Sequence, residues 1–256
     1  MQHILVLHGN GGSRTRFEPA LALLATEHPD IRVVIPALSG FDGRPLPDGV
    51  DYWDLFLQET GQAMHPYEAE DWILYGHGIG GSLLMELAAR RYTFPQGFTI
   101  RPRRVILHGA IGASLDRRWF PRLMKPQWIR HLIRTLVASP ALRPMWVKRL
   151  FLHPERIPAD VRNRFFEDYG RCASFSVWFD LITDAWYQRI RPLVRDEPFY
   201  LLWGERERVV ASKYLPLWTA DFPRATLDIM PGWDHFPMLD DPAGFVRKFV
   251  VLTTGT

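Results

Sequence analysis

Short apolar runs alternate along the chain with segments in which apolar residues have helical spacing. The runs have the length of buried strands and lie at residues 4–7, 31–35, 72–75, 104–107, 199–203 and 225–230. Helices are predicted at residues 16–27, 52–64, 79 onward, 213–220 and 242–251. Strands that alternate with helices predict an α/β fold with a mostly parallel, doubly wound sheet of about six strands. Right-handed crossovers then bring the carboxyl ends of these strands to one edge, where ligand sites of such sheets form.

Residues 112–195 interrupt this alternation and read as helices separated by prolines. We predict that they form a helical cap inserted into an α/β core, which comprises residues 1–111 and 196–256. Because the cap follows the strand at residues 104–107, we expect it to lie over the strand edge and to shape the pocket there.

A glycine-rich turn joins the third predicted strand to the helix that follows it. Its sequence is Gly76-His77-Gly78-Ile79-Gly80, and a strand that reverses into a helix over so few residues needs small residues beside the turn. The pattern is that of a nucleophile elbow, G-x-S-x-G, except that Gly78 stands where the serine is expected. Position 78 therefore lacks the oxygen or sulfur that a covalent acyl intermediate requires.

Three other loops follow predicted strands and belong to the same edge. His8-Gly9 and the glycines after it end the first strand, but this loop lacks the Gly-Lys-Ser/Thr ending and the G-x-G-x-x-G spacing of nucleotide-binding loops. The fifth strand leads into a turn that contains Glu207, and the sixth leads into a loop that contains His235. A glycine loop, an acidic residue and a histidine are thus expected near Gly78.

In this order and spacing the four segments resemble the α/β-hydrolase fold, without the first hairpin that is usual in that family. The resemblance implies that His235 is the general base and that Glu207 orients it. It also implies that the backbone N–H groups of Asn10 and Ile79 form an oxyanion hole. Gly78 then stands at the nucleophile position of the family.

Neither nearby serine is expected to replace the missing nucleophile. Ser82 lies one helical turn beyond the elbow, and Ser13 reads as a helix cap. Three functions are then open. The protein is a hydrolase of ester or related acyl substrates in which Gly78 is an inactivating Ser→Gly change; or an enzyme that uses His235 and Glu207 without a covalent intermediate; or a non-catalytic ligand-binding protein with this fold. The first interpretation accounts for the other site residues, so we predict a hydrolase.

The composition of the chain bears on whether it spans a membrane, forms disulfides, or binds metals or nucleic acid. The chain has no apolar run of about 18 residues, so no transmembrane helix is expected. The single cysteine, Cys172, excludes an internal disulfide and is typical of a reducing compartment, so we predict a cytoplasmic protein. His8, His77 and His108 lie near strand ends, but the resemblance makes His8 and His77 structural, and we predict no metal and no cofactor. No motif supports binding of nucleic acid.

Basic residues are concentrated in the predicted cap. Residues 114–195 contain 16 Lys or Arg and 7 Asp or Glu, a net charge of +9 within a chain of net charge +3. One predicted cap helix has Arg130 and Arg134 on one face and apolar residues on the other: Trp128, Ile129, Leu132, Ile133, Leu136 and Val137. We favour a helix packed on its neighbours with solvated arginines, and the alternative is a peripheral contact with an anionic membrane surface.

Aromatic residues of the cap and the acid-bearing turn predict the class of substrate. Trp128 and Trp178 lie in the predicted cap, and Trp203 directly precedes the turn that contains Glu207. These three residues are the candidate substrate contacts, and they favour a small molecule with an apolar or aromatic portion.

Overall fold

Six strands form the sheet: β1 (Gln2–Leu7), β2 (Ile31–Val34), β3 (Trp72–His77), β4 (Arg104–His108), β5 (Tyr200–Gly204) and β6 (Thr226–Met230). The structure, a computed structural model, describes residues 1–67, 72–113 and 115–254. The strands are parallel to their neighbours, in the order β2-β1-β3-β4-β5-β6. The predicted parallel, doubly wound sheet is therefore confirmed.

Helices precede, join and follow the strands. In the core they are α1 (Glu18–Glu27), α2 (Tyr52–Met64), α3 (Ile79–Ala89), α10 (Leu215–Asp221), α11 (Pro237–Asp240) and α12 (Pro242–Thr254). Between β4 and β5 lie α4 (Trp119–Leu123), α5 (Gln127–Ala138), α6 (Arg143–Leu150), α7 (Ala159–Arg171), α8 (Val177–Leu181) and α9 (Asp184–Val194). The short helix α11 occupies a segment that the sequence predicts as loop. None of the described helices combines the length and the apolar character needed to cross a bilayer.

The sheet separates two hydrophobic cores. Successive residues of a strand point to opposite faces, so Leu5 and Leu74 join the core beneath α2, α3 and α9, whereas Ile4 and Tyr75 join the core beneath α1 and α12. Because both faces of β1 and β3 are covered, these strands read as continuous apolar runs rather than as alternating patterns. The central strands are thus held from both sides, and their carboxyl ends are fixed relative to one another.

The cap helix α5 differs from its predicted orientation. Arg130 is only 4% exposed, whereas Trp128 is 68% exposed. The guanidinium of Arg130 binds the carboxylate of Asp180 with two hydrogen bonds of 2.7 Å, which compensates the loss of its hydration. Arg134 also donates to the carbonyl of Cys172 at 3.0 Å. The expectation of solvated arginines is therefore wrong for Arg130, whereas Arg134 is partly exposed.

Candidate active site

Gly78 lies at the apex of the turn between β3 and α3. Its backbone has φ of 57° and ψ of −119°, a conformation that favours glycine. Its N–H donates to the carbonyl of His108 at 3.0 Å, and its carbonyl accepts from the N–H of Gly81 at 3.1 Å. A Cβ atom built on Gly78 would lie 3.5 Å from Cα of Gly9 and 3.9 Å from Nε2 of His235. The turn therefore has room for a side chain, next to the imidazole of His235.

The neighbouring glycines have no such room. A Cβ atom on Gly76 would lie 2.5 Å from the carbonyl oxygen of Gly80, and one on Gly80 would overlap the carbonyl oxygen of Leu7. A Cβ atom on Gly81 would lie 2.6 Å from Cβ of Ala110. Glycine at these three positions lets α3 lie directly against the strands, which is the physical reason for small residues beside the turn.

His235 and Glu207 form a buried pair at the same edge. Nδ1 of His235 lies 2.7 Å from Oε2 of Glu207, and the other carboxylate oxygen accepts from the N–H groups of Val209 and Val210 at 2.7 and 2.9 Å. Burial alone would raise the pKa of Glu207, but the attraction of His235 and the hydrogen bonds from His235, Val210 and Val209 hold that pKa below its usual value. The ionised carboxylate orients the imidazole so that Nε2 faces position 78.

A second set of contacts ties the acid turn to the histidine loop. Nε of Arg208 donates to Oδ2 of Asp234 at 2.8 Å, and the same carboxylate accepts from the backbone N–H of His235. The indole of Trp203 donates to the carbonyl of Val210 at 2.9 Å, next to the acid turn. These bonds explain how residues from two separate loops keep a constant spacing. The local sequence does not indicate the pairing of Arg208 with Asp234.

The predicted oxyanion-hole residues flank position 78. Asn10 follows Gly9, the residue whose Cα lies nearest to a Cβ built at position 78, and Ile79 is the first residue of α3. Within the described residues, neither backbone N–H donates to another protein group. The side-chain amide of Asn10 donates to the carbonyl of Phe175 at 3.0 Å, which fixes the loop. The placement suits a pair of donors for a developing oxyanion, and that role stays a prediction.

Arg16 is a site residue that sequence reasoning did not single out. It is only 2% exposed, and none of the described carboxylates pairs with it. Its guanidinium donates to the carbonyl of Asn10 at 2.9 Å. The guanidinium carbon lies 4.7, 5.2 and 5.4 Å from the ring centres of Phe165, Tyr169 and Phe236. Arg16 therefore links the glycine loop, the cap and the histidine loop, although its sequence context is that of an ordinary surface arginine.

Three other buried histidines lie around the site. Burial lowers the pKa of His8 to about 4 and of His108 to about 3, and it lowers the pKa of His77 well below its usual value, so all three are neutral near pH 7. Nε2 of His77 donates to the carbonyl of His235 at 2.8 Å and so holds the histidine loop. His108 contacts the hydroxyl of Tyr75. Among the described residues, no cluster of three His, Cys, Asp or Glu side chains is arranged to hold a metal ion.

The three candidate substrate tryptophans have different surroundings. Trp203 is buried and packs on Trp218, with ring centres 5.5 Å apart. Trp178 is buried and stacks on Phe56 at 4.7 Å. Trp128 is exposed on α5. Substrate contact by these residues stays a prediction.

The two nearby serines are engaged in structural hydrogen bonds. Oγ of Ser82 donates to the carbonyl of Ile111 at 2.6 Å. Oγ of Ser13 donates to the carboxylate of Asp168 at 2.6 Å and accepts from the N–H of Thr15 at 3.1 Å. These partners support the expectation that neither serine replaces a nucleophile at position 78.

The cap covers the candidate site. A Cβ atom on Gly11 would overlap the ring of Tyr169, so that α7 lies directly on the glycine loop. The carbonyl of Phe175 accepts a hydrogen bond from the side-chain amide of Asn10, and His235 is only 5% exposed. His235 is therefore largely shielded from solvent beneath α7 and the chain around Phe175.

Comparison with known proteins places this geometry in context. The sequence profile of the alpha/beta hydrolase family matches residues 4–248. An uncharacterised protein of Mycobacterium tuberculosis (strain ATCC 25618 / H37Rv) is 25% identical over 257 residues, which cover 95% of this chain and 72% of that protein.

Two solved structures illustrate the shared fold. A thermophilic esterase from Thermogutta terrifontis has a TM-score of 0.71 at 17% identity, and the match covers 100% of this chain and 90% of that one. The 2-hydroxy-6-oxo-6-phenylhexa-2,4-dienoate hydrolase of Rhodococcus sp. strain RHA1 has a TM-score of 0.73 at 18% identity and covers 100% and 91% of the two chains. At these identities the likeness concerns the fold.

Proposed function

The chain belongs to the alpha/beta hydrolase family, and from this premise we propose that it hydrolyses an ester or a related acyl substrate with an apolar or aromatic portion. The observation that carries the proposal is the position of His235. Its Nε2 lies 3.9 Å from a Cβ atom built on Gly78, and its Nδ1 lies 2.7 Å from Glu207. A base oriented in this way faces the point from which a nucleophile attacks a carbonyl carbon.

In the proposed mechanism, water is the nucleophile because glycine at position 78 supplies none. Nε2 of His235 takes a proton from the water as the water oxygen bonds to the carbonyl carbon. The carbonyl electron pair moves to its oxygen, which accepts hydrogen bonds from the N–H groups of Asn10 and Ile79. Collapse of this intermediate breaks the bond to the leaving alcohol, which takes the proton from His235. Glu207 stabilises the imidazolium between the two transfers.

The substitution Gly78→Ser tests the assignment of this site. A serine hydroxyl at position 78 would lie within reach of Nε2 of His235 and would open the covalent route. We expect hydrolysis of p-nitrophenyl esters to rise by roughly 100-fold or more over the original protein. Gly78→Ala is the matched control. Alanine must adopt the same backbone conformation as serine at this position but has no hydroxyl, so it should give no gain in activity.

His235→Ala provides the second arm of the experiment. It should abolish both the slow hydrolysis by the original protein and the gain produced by Gly78→Ser, because both depend on the same base. A folded Gly78→Ser protein that gains no activity with any acyl chain length would contradict the assignment. Ester hydrolysis that is unaffected by His235→Ala would place the reaction at another site.

A non-catalytic ligand-binding function is the second candidate, favoured by the missing nucleophile and by the cover of Tyr169 over the glycine loop. It predicts that the original protein binds an apolar amide analogue of an ester without any turnover of the ester. It also predicts that His235→Ala leaves this affinity unchanged. Calorimetric titration of both proteins with the amide, beside the ester assay, distinguishes the two functions.

A further inference from the structure

Two consecutive cap helices expose an apolar surface, which we call the cap patch. Its members are more than a third exposed and are all large apolar side chains: Trp119, Phe120, Leu123, Trp128 and Leu132. Trp119 and Trp128 are 71% and 68% exposed, and they are the two most exposed aromatic side chains among the described residues. Single exposed apolar residues are ordinary, but a cluster of this kind marks an interaction surface.

The spacing places these residues together on the outer side of α4 and α5. Trp119 and Leu123 are four residues apart on α4, as are Trp128 and Leu132 on α5, so each pair shares one helical face. The rings of Trp119 and Phe120 are 5.7 Å apart. Only residues 124–126 separate α4 from α5, and Arg130 of α5 donates to the carbonyls of Met124 and Lys125, which holds the end of α4 to α5.

Arg130 fixes the patch in its exposed position. Its guanidinium donates to the carbonyls of Met124, Lys125 and Ser176 at the end of α4 and near α8, besides the pair of bonds to Asp180. Met124 is fully buried and anchors the other side of the same turn. With Arg130 held inward, α5 cannot rotate to bury its outer apolar edge. The exposure is therefore built into the cap rather than produced by a loose helix.

The segment of the chain that contains the cap patch has basic residues and no acidic ones. Residues 117–154 contain nine Lys or Arg and no Asp or Glu. Arg117, Lys125 and His131 are exposed beside the apolar residues. Asp180, on α8, has its carboxylate paired with the guanidinium of Arg130. The surroundings of the patch are thus complementary to an anionic partner.

We propose that the cap patch docks the protein on an anionic lipid bilayer. The tryptophan rings would lie at the level of the lipid headgroups, where aromatic side chains with one polar atom are favoured. Arg117 and Lys125 would contact lipid phosphates, as basic residues of interfacial helices do. A second copy of the chain suits the patch less well, because a twofold contact would bring two basic surfaces together.

Vesicle flotation of the 256-residue chain tests the proposal. The vesicles consist either of phosphatidylcholine alone or of equal parts of phosphatidylcholine and phosphatidylglycerol. We expect binding to the mixed vesicles and little binding to the neutral ones. The double substitution Trp119→Ala with Trp128→Ala should lower binding to mixed vesicles by roughly tenfold or more, because both interfacial anchors are lost.

The control variant removes exposed apolar side chains outside the cap patch. Ile229 on β6 and Val251 on α12 are 45% and 48% exposed, and their replacement by alanine should leave vesicle binding unchanged. Lys125→Glu keeps every apolar anchor and should weaken binding to the mixed vesicles by about fivefold or more. At high salt the difference in affinity between this variant and the original protein should become smaller, because salt screens the charges. This variant keeps the test valid if the tryptophan variant folds poorly, which a thermal melt would show.

Several results would overturn the proposal. These are no binding to mixed vesicles, equal binding to neutral and mixed vesicles, or unchanged binding after loss of both tryptophans. Sedimentation velocity adds another. If the original protein is a dimer that the tryptophan substitutions convert to a folded monomer, the patch is a contact between copies of this chain and not a lipid surface.

Discussion

The elbow glycines differ in what a side chain would meet, and this difference can be measured as stability. Gly78 has a positive φ but a Cβ there would make only ordinary van der Waals contacts, whereas Gly80 has helical backbone and no space for a Cβ. We therefore predict that Gly80→Ala destabilises the fold far more than Gly78→Ala. Backbone preference alone predicts the reverse order, because alanine is favoured over glycine within a helix by about 1 kcal/mol.

The magnitudes follow from the local geometry. At position 78 the nearest atom to a new Cβ is 3.5 Å away, so the cost is conformational and amounts to about 1–3 kcal/mol. At position 80 the new Cβ would overlap the carbonyl oxygen of Leu7 and lie 2.7 Å from its carbonyl carbon. Helix α3 must then move away from β1, and we expect a loss of more than about 3 kcal/mol even after the gain in helix propensity.

Urea unfolding followed by tryptophan fluorescence and circular dichroism gives both free energies, provided that the two probes coincide. Gly81→Ala is a useful intermediate, because its Cβ would meet the side chain of Ala110 rather than backbone. If Gly78→Ala proves as costly as Gly80→Ala, position 78 has no room for a side chain. The interpretation of this turn as a nucleophile elbow would then fail.

Three other measurements follow from the same contacts. Glu207→Gln in the Gly78→Ser background should lower kcat/KM for an ester by roughly 100-fold or more with little change in stability, because the amide N–H₂ favours the wrong tautomer of His235; an unchanged rate would contradict the role of the carboxylate. Arg208→Ala should lower the free energy of unfolding by about 1–3 kcal/mol, because it leaves the buried Asp234 carboxylate without its partly exposed partner. The control Arg206→Ala, at a neighbouring exposed arginine, should lower it by less than about 0.5 kcal/mol. Equal effects of the two substitutions in urea titrations would refute this. Burial holds His8 and His108 neutral in the folded protein, whereas in the unfolded chain these histidines take up protons at their ordinary pKa of 6.5. The free energy of unfolding should therefore fall as the pH is lowered below 6.5, by up to about 1.4 kcal/mol per pH unit for each histidine. His8→Asn should make this slope shallower, and an identical slope would contradict the assignment.

Much of the fold and part of the site follow from local sequence. Apolar runs and helical spacing predict β1 to β6 and the long core helices, because the central strands are covered on both faces and admit few polar residues. The glycines around position 78 predict the turn between β3 and α3, since only glycine fits the contacts at positions 76, 80 and 81. The parallel topology predicts that Glu207 and His235 lie along one edge, and the resemblance to the α/β-hydrolase fold implies that they pair. In the structure Nδ1 of His235 lies 2.7 Å from Oε2 of Glu207.

The sequence by itself therefore determined the strands and the long helices of the core, their order and the edge at which the candidate site lies. Only the tertiary structure decided which side chains of the cap are buried. Arg130 is inside and Trp128 outside because Asp180, fifty residues away, supplies the carboxylate that makes burial of the arginine tolerable. The same holds for Arg16, which is buried by rings from α7 and the histidine loop. Periodicity reports the polarity of a helix face, but burial depends on partners that are distant in the chain.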